Sequence, residues 1–253
     1  MNVLDLFSGI GGFSLGLERA GMRTVAFCEI EPFCRQVLAK HWPSVPCYDD
    51  VRTLTADHLR ADGISVDVIC GGFPCQDISV AGKGAGIDGS RSGLWSEYAR
   101  IIGELRPRYV IVENVAALLG RGLDAVLGSM ASLGYDAEWH CIPASVVGAP
   151  HVRDRAWIIA YPAQERCGET GQCSQRSEPQ GSGAATRGFW SDAEWLPCRD
   201  GKWRPTQPGL FPLAHGIPAR VGRLRAYGNA IVPQVAAAFI GAYMSASPRP
   251  RSA

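Results

Sequence analysis

Nowhere in this chain do apolar residues run on for the roughly 18 positions a membrane-spanning helix needs; Gly, Arg or Glu breaks every long stretch. The opening MNVLDLFSGIGG has no basic segment ahead of an apolar one, so no signal peptide is expected. There is no Gly-Lys-Ser/Thr phosphate loop, which favours a nucleoside without a phosphate clamp over ATP. None of the nine cysteines forms a Cys-x-x-Cys pair, so neither a structural zinc site nor a redox dithiol is expected. Their odd number leaves no disulfide plan. Cys28, Cys34, Cys70 and Cys141 lie in or beside apolar segments and are expected to be small buried hydrophobes. Internal repeats are also lacking. These absences imply a reduced, cytoplasmic protein with no metal and no membrane association.

What is present is an ordinary globular composition: 253 residues, 46% hydrophobic and 19% charged. That length suits one large domain, or one domain with a smaller partner. The net charge of +1 conceals an asymmetry. Residues 1–150 hold 12 Lys and Arg against 17 Asp and Glu, whereas residues 151–253 hold 13 against 7. A chance surface imbalance accounts for this, and so does an acidic cofactor half joined to a basic half that meets a polyanion.

Short apolar runs rich in Val and Ile alternate with helical patterns through the first 160 residues. VLDLF (3–7), RTVAFCE (23–29), VDVICG (66–71), RYVIVEN (108–114) and RAWIIAY (155–161) read as buried strands. PFCRQVLAKHW (32–42) and SEYARIIGEL (96–105) carry apolar residues at three- and four-residue steps. The alternation predicts an α/β fold with a doubly wound, mostly parallel, Rossmann-like sheet. From about 162 the chain turns polar and Gly- and Ser-rich, then gives FWSDAEWLPCRDGKWRPTQPGLFP with Trp190, Trp195 and Trp203. The expected division is residues 1–161 plus 222–253 as one domain and 162–221 as a small irregular second region. A last helix over 233–244 is expected to return to the core, followed by a frayed tail.

The chemistry-bearing residues fall at the ends of the predicted strands. Gly9, Gly11 and Gly12 turn the chain from the first strand into a helix near Phe13, where glycines let the backbone approach a ligand. Glu29 closes the second strand and Asp50 follows a third short one; carboxylates there suit a ribose and an adenine amino group. Cys75 follows the fourth strand in a long loop (74–95), Glu113 and Asn114 end the fifth, and Arg153 and Arg155 stand two apart at the mouth of a sixth. Singly, each has a plain structural explanation: a spacer thiol, a helix-start carboxylate, a solvated strand end. Gathered on one edge of one sheet, they ask for a joint one.

A thiol, a carboxylic acid and a guanidinium suit attack on cytosine. Carbon 5 of that ring is a poor nucleophile until a thiolate adds at carbon 6. The charge that develops is met by a protonated carboxyl at N3 and an arginine at O2. In a duplex the base must first be flipped out.

DLFSGIGG, GFPCQDIS, ENV (113–115), Arg-x-Arg and YGNAIVPQVA (227–236), in this order, resemble the signatures of the DNA (cytosine-5)-methyltransferases of bacterial and phage type. The resemblance covers nearly everything except roughly 162–200. It implies Cys75 as nucleophile, Glu113 at cytosine N3, Arg155 at O2 and Arg153 supporting the loop. It implies S-adenosylmethionine as cofactor, in a pocket lined by Phe7, Gly9, Gly11, Glu29, Ile30, Asp50, Pro74, Leu94 and Asn229. Ser79, Asn114, Arg199, Lys202 and Arg204 are the expected contacts to the substrate, double-stranded DNA. It further implies a monomeric bacterial or phage-encoded enzyme, with a cognate restriction endonuclease as a partner.

Three departures stand out: His151 where the family usually has Gln, Ile30 where an aromatic often stands, and a short variable segment. An RNA (tRNA) cytosine-5 methyltransferase of the same family and a non-catalytic DNA-binding relic are the alternatives. Intact Cys75, Glu113 and Arg155 argue against the relic.

Overall fold

A computed structural model describes residues 1–74, 93–149, 151–163, 194–197, 203–206 and 229–246. Its centre is a seven-stranded sheet of β1 (Asn2–Leu6), β2 (Arg23–Cys28), β3 (Cys47–Tyr48), β4 (Val68–Gly71), β5 (Tyr109–Val115), β6 (Tyr135–Pro143) and β7 (Asp154–Pro162). The order across the sheet is β3-β2-β1-β4-β5-β7-β6. The first five run parallel, and β7 lies antiparallel to both β5 and β6. The order reverses between β1 and β4, which opens a crevice beyond their carboxyl ends, where such sheets hold ligands.

Central strands read as continuous apolar runs because both faces are covered. Val68–Gly71 are all buried, as are Tyr109 to Asn114. Helices α1 (Gly12–Arg19) and α7 (Pro233–Ala246) bury Phe13, Leu17, Val235 and Ile240 with one face of the sheet. On the other face α3 (Ala56–Ala61), α4 (Gly93–Leu105) and α6 (Leu123–Ser132) contribute Leu59, Tyr98, Ile101 and Met130. Helix α2 (Pro32–His41) buries Cys34 and Leu38, and α5 (Leu118–Arg121) is a single turn. A separate antiparallel pair, β8 (Glu194–Pro197) and β9 (Trp203–Thr206), lies in the Trp-rich stretch.

The final helix joins the first one directly. A Cβ on Gly16 would sit 2.5 Å from the Cβ of Ala236 and 2.7 Å from the Pro233 carbonyl oxygen. Only a glycine lets the two helices approach so closely.

Several expectations need correction. The segment 135–143 is a strand that the sequence pattern does not mark, so the predicted sixth strand is the seventh. Because that strand is antiparallel, Arg153 and Arg155 reach the site from its beginning and not from a carboxyl end. Helices α3, α5 and α6 are likewise additions to the predicted elements. β1 stops at Leu6, one residue early, because Phe7 adopts a left-handed φ of 53°. Cys141 is exposed, unlike the buried Cys28, Cys34 and Cys70. It lies on the strand at the sheet's edge, where cover is incomplete. The tail expected to fray begins at 245, but α7 runs on to Ala246, and 247–253 lie outside the described residues.

Candidate active site

Beyond the crevice, the turn from β1 to α1 is built on left-handed backbone at Phe7, Gly9 and Gly11, with φ of 53°, 54° and 86°. The three positions face different surroundings. Among the described residues, a side chain at Gly9 would meet nothing within 4 Å, so this position borders open space. At Gly11 a Cβ would lie 2.5 Å from Cζ3 of Trp42 and 3.1 Å from Leu38. Gly11 therefore makes room on its Cβ side for a packed indole. At Gly12 it would meet the Ile231 carbonyl oxygen at 2.7 Å, which brings the segment after Asn229 against the turn.

Glu29 follows β2 and is 9% exposed. Its Oε2 accepts the Gly9 amide at 2.7 Å and its Oε1 the Glu31 amide at 2.8 Å, which orients the carboxylate toward the turn. Neighbouring Ile30 is 62% exposed, an apolar surface left uncovered by the described residues. Asp50 accepts from Arg52 Nε at 2.9 Å and Nη2 at 2.6 Å, a bidentate pair that holds its carboxyl below the usual range. Phe7 stacks on Tyr98, the ring centroids 6.1 Å apart. Leu94 is half-buried at the start of α4, Pro74 is exposed, and Asn229 is exposed ahead of α7. Open ground over Gly9, an uncovered Ile30 and the Glu29 carboxylate, which accepts one bond on each oxygen, fit a nucleoside.

The acid and guanidinium meet as the sequence implies. Arg155 Nε lies 3.0 Å from Glu113 Oε1, and both line a cleft with Arg153, Ile142, Trp157, Val232 and Val235. The pairing follows from register: Val115 stands opposite Arg155 across β5 and β7, with Glu113 two residues along on the same face. Burial raises the Glu113 carboxyl to about 7 even though Arg155 and Arg153 pull it down. Gly72 gives that carboxylate its room, since a Cβ there would stand 3.0 Å from Oε2. Arg153 donates from Nη2 to the Ala230 carbonyl at 3.0 Å, tying the start of β7 to the segment before α7. His151 is exposed, and desolvation and the charge of Arg153 lower its pKa.

Asn114, an expected substrate contact, lies in the buried end of β5. It is 4% exposed, and its Nδ2 donates to the Phe73 carbonyl at 3.0 Å while its Oδ1 accepts the Val115 amide at 2.8 Å. It anchors the backbone two residues before Cys75. Cys75, Ser79, Arg199, Lys202 and the side chain of Arg204 lie outside the described residues.

Two supports have no counterpart among the residues singled out from sequence. Trp42 wedges against Gly11 and donates from Nε1 to Glu18 at 2.9 Å. Arg100 donates to the carbonyls of Val51 and Leu54, both at 2.9 Å, and pairs with Glu97 and Glu104, fixing the segment after Asp50. The spacing of Glu97, Arg100 and Glu104 on one helix is a legible signal for the second; nothing in sequence singles out Trp42.

Residues 1–187 match the sequence profile of the C-5 cytosine-specific DNA methylases. The chain belongs to that family. Among its relatives, the type II methyltransferase M2.BsuMI of Bacillus subtilis is 37% identical over 168 residues, covering 63% of this chain and 42% of its own length. M.Eco47II of Escherichia coli is 37% identical over 164 residues, covering 62% of this chain and 39% of its own. The chain thus spans about two fifths of the length of these relatives. The solved structure of Spodoptera frugiperda DNMT2 shares the fold, with a TM-score of 0.59 at 19% identity, covering 76% of this chain and 59% of that one. Within the family the fold is the expected α/β methyltransferase sheet.

Proposed function

We propose that this family member is a DNA (cytosine-5)-methyltransferase that acts on a flipped-out cytosine in duplex DNA. S-adenosylmethionine, when bound, supplies an electrophilic methyl group. The observation that carries the reading is the Glu113–Arg155 pair: a carboxyl poised near pH 7 against a fixed guanidinium, beside the crevice. Half-protonated at neutral pH, Glu113 offers a proton to cytosine N3, and Arg155 meets the charge that develops at O2. Cys75 forms the bond to carbon 6, its loop root held by Asn114 on Phe73. Glu29, Ile30 and Asp50 hold the nucleoside of the cofactor, Phe7, Pro74, Leu94 and Asn229 line the same pocket, and Gly9 leaves room for its chain.

Residues 1–161 plus 222–253 form the catalytic domain in this reading, and 162–221 the region that reads DNA. The packing of α7 on α1 supports a first domain completed by the end of the chain. A cognate restriction endonuclease, a monomeric state and a cytoplasmic location in a bacterial or phage-infected cell belong to the same proposal. Among the described residues, no helix is long and apolar enough to cross a membrane, and no group of His, Cys, Asp and Glu could hold a metal.

The test is transfer of labelled methyl groups into duplex DNA and, in parallel, into tRNA, followed by methylome sequencing of expressing cells. Label at cytosine C5 of DNA supports the reading, and label confined to tRNA replaces it with the RNA alternative. No label in either, with S-adenosylmethionine still bound, leaves a non-catalytic DNA-binding module.

A further inference from the structure

Asp5 lies in the middle of the parallel sheet, in β1, and is 1% exposed. No step of the proposed reaction uses it. Its carbonyl accepts from Ser8 Oγ at 2.6 Å, and its Oδ2 accepts from Ser14 Oγ at 2.7 Å. Ser8 opens the glycine turn and Ser14 stands in the first turn of α1, so one residue grips both flanks of Gly9, Gly11 and Gly12. Cys70 of β4 stands directly opposite Asp5 in register. Among the described residues, Asp5 Oδ1 has no hydrogen-bond partner.

We propose that Asp5 is a positioning residue for the cofactor, clamping the glycine turn between Ser8 and Ser14 in the conformation that receives S-adenosylmethionine. The inference rests on the reading of that turn as the cofactor seat. Three left-handed residues in five would not hold one shape by local preference alone, since Phe7 in this region is sterically costly and the glycines are permissive. A buried hydrogen bond that spans the turn supplies the restraint. Burial raises the carboxyl to about 7, opposed by its bond to Ser14, so the acid form is well populated near neutral pH. An uncharged acid needs no counter-ion in the core, and no basic group among the described residues acts on Asp5. The amide of an asparagine is therefore expected to replace it, while an apolar isostere is not.

The experiment compares Asp5→Asn, Asp5→Leu and Ser14→Ala with the wild-type chain by two readouts. In cofactor-free protein, hydrogen exchange at the amides of residues 9–14 should speed up about tenfold in Asp5→Leu and a few-fold in Ser14→Ala, as loss of one buried hydrogen bond implies. Asp5→Asn should stay within about twofold of wild type. By calorimetry the dissociation constant for S-adenosylmethionine should rise in the same order, while the single-turnover rate at saturating cofactor changes little. Were Asp5→Leu not to fold, Ser14→Ala, which removes one hydroxyl, still decides the matter. Variants that lower Tm yet leave exchange and affinity at wild-type values overturn the inference, as does an Asp5→Asn that behaves like Asp5→Leu. A wild-type chain that binds no S-adenosylmethionine refutes the cofactor reading instead, and the exchange data then report on the clamp alone.

Discussion

Glu113 gives the site a titration that can be read without any substrate. Its side chain is 9% exposed, and burial lifts the carboxyl from 4.5 to about 7 against the pull of Arg155 and Arg153. At 1.36 kcal/mol per pH unit, that rise means folding favours the protonated form by about 3 kcal/mol. The sign follows from proton counting. Below pH 4.5 the group is protonated in the folded and unfolded chains alike, and its contribution is fully present. As pH climbs toward about 7 the unfolded chain ionises first, and the contribution is lost. Glu113→Gln keeps the shape and a neutral head but cannot ionise. Between pH 5 and 8, wild type should therefore lose roughly 2 to 3 kcal/mol more stability than Glu113→Gln does. Urea unfolding at four pH values measures this, provided the transitions stay two-state. Asp5, also raised to about 7, tilts both curves equally, so the difference isolates Glu113. Parallel curves for the two proteins would refute the argument that burial outweighs the arginines.

Cys75→Ser should abolish methyl transfer into DNA and leave S-adenosylmethionine binding near wild type, while Cys70→Ser keeps most turnover; single-turnover assays and calorimetry check both. Gly11→Val should weaken cofactor binding by driving a side chain into the Trp42 indole, whose Cζ3 would stand 2.5 Å from the new Cβ, and Trp fluorescence should change with it. Gly16→Val should lower Tm with a loss of about 1–3 kcal/mol or more, because it overpacks the α1–α7 junction. Neutralising Arg199, Lys202 and Arg204 together should weaken DNA binding and flatten its salt dependence, by about one unit of log-log slope for each phosphate no longer neutralised. Unchanged salt dependence would move DNA reading elsewhere in the chain.

The parts legible in sequence are those where one local pattern carries the information. Buried parallel strands read as apolar runs, so β1, β2, β4, β5 and β7 can be marked within a residue or two. Glycines in a strand-to-helix turn mark the left-handed backbone after β1, and a Glu-Asn pair closing an apolar run marks the buried acid. Strand β6 hides because it lies on the sheet's edge, where YDAEWHCIP mixes polar and apolar residues with no buried face to impose alternation. The exposure of Cys141 is hidden for the same reason. The packing of Gly11 on Trp42 and the bond from Asn114 to the Phe73 carbonyl are not legible because these partners lie 31 and 41 residues away. Pairings at that range leave no trace in a local window.

The antiparallel insertion of β7 explains how one edge collects groups of opposite charge from distant parts of the chain. Parallel strands deliver only their last residues to the crevice, and here they deliver carboxylates: Glu29 after β2 and Glu113 in β5. A strand entering the other way delivers its first residues to the same edge, and those are Arg153 and Arg155. Had β7 run parallel to β5, the arginines would lie a strand's length away, some 25–30 Å for nine residues. Glu113 would then be a buried carboxyl with no nearby cation, protonated far above pH 7. The reversal thus sets both the position of the cation and the pKa of the acid it faces. Because the chain leaves β7 at the opposite edge, the 70 residues between Pro162 and Pro233 begin far from the chemistry. Among the described residues, they come back to it where Ala230 and Ile231 meet Arg153 and Gly12.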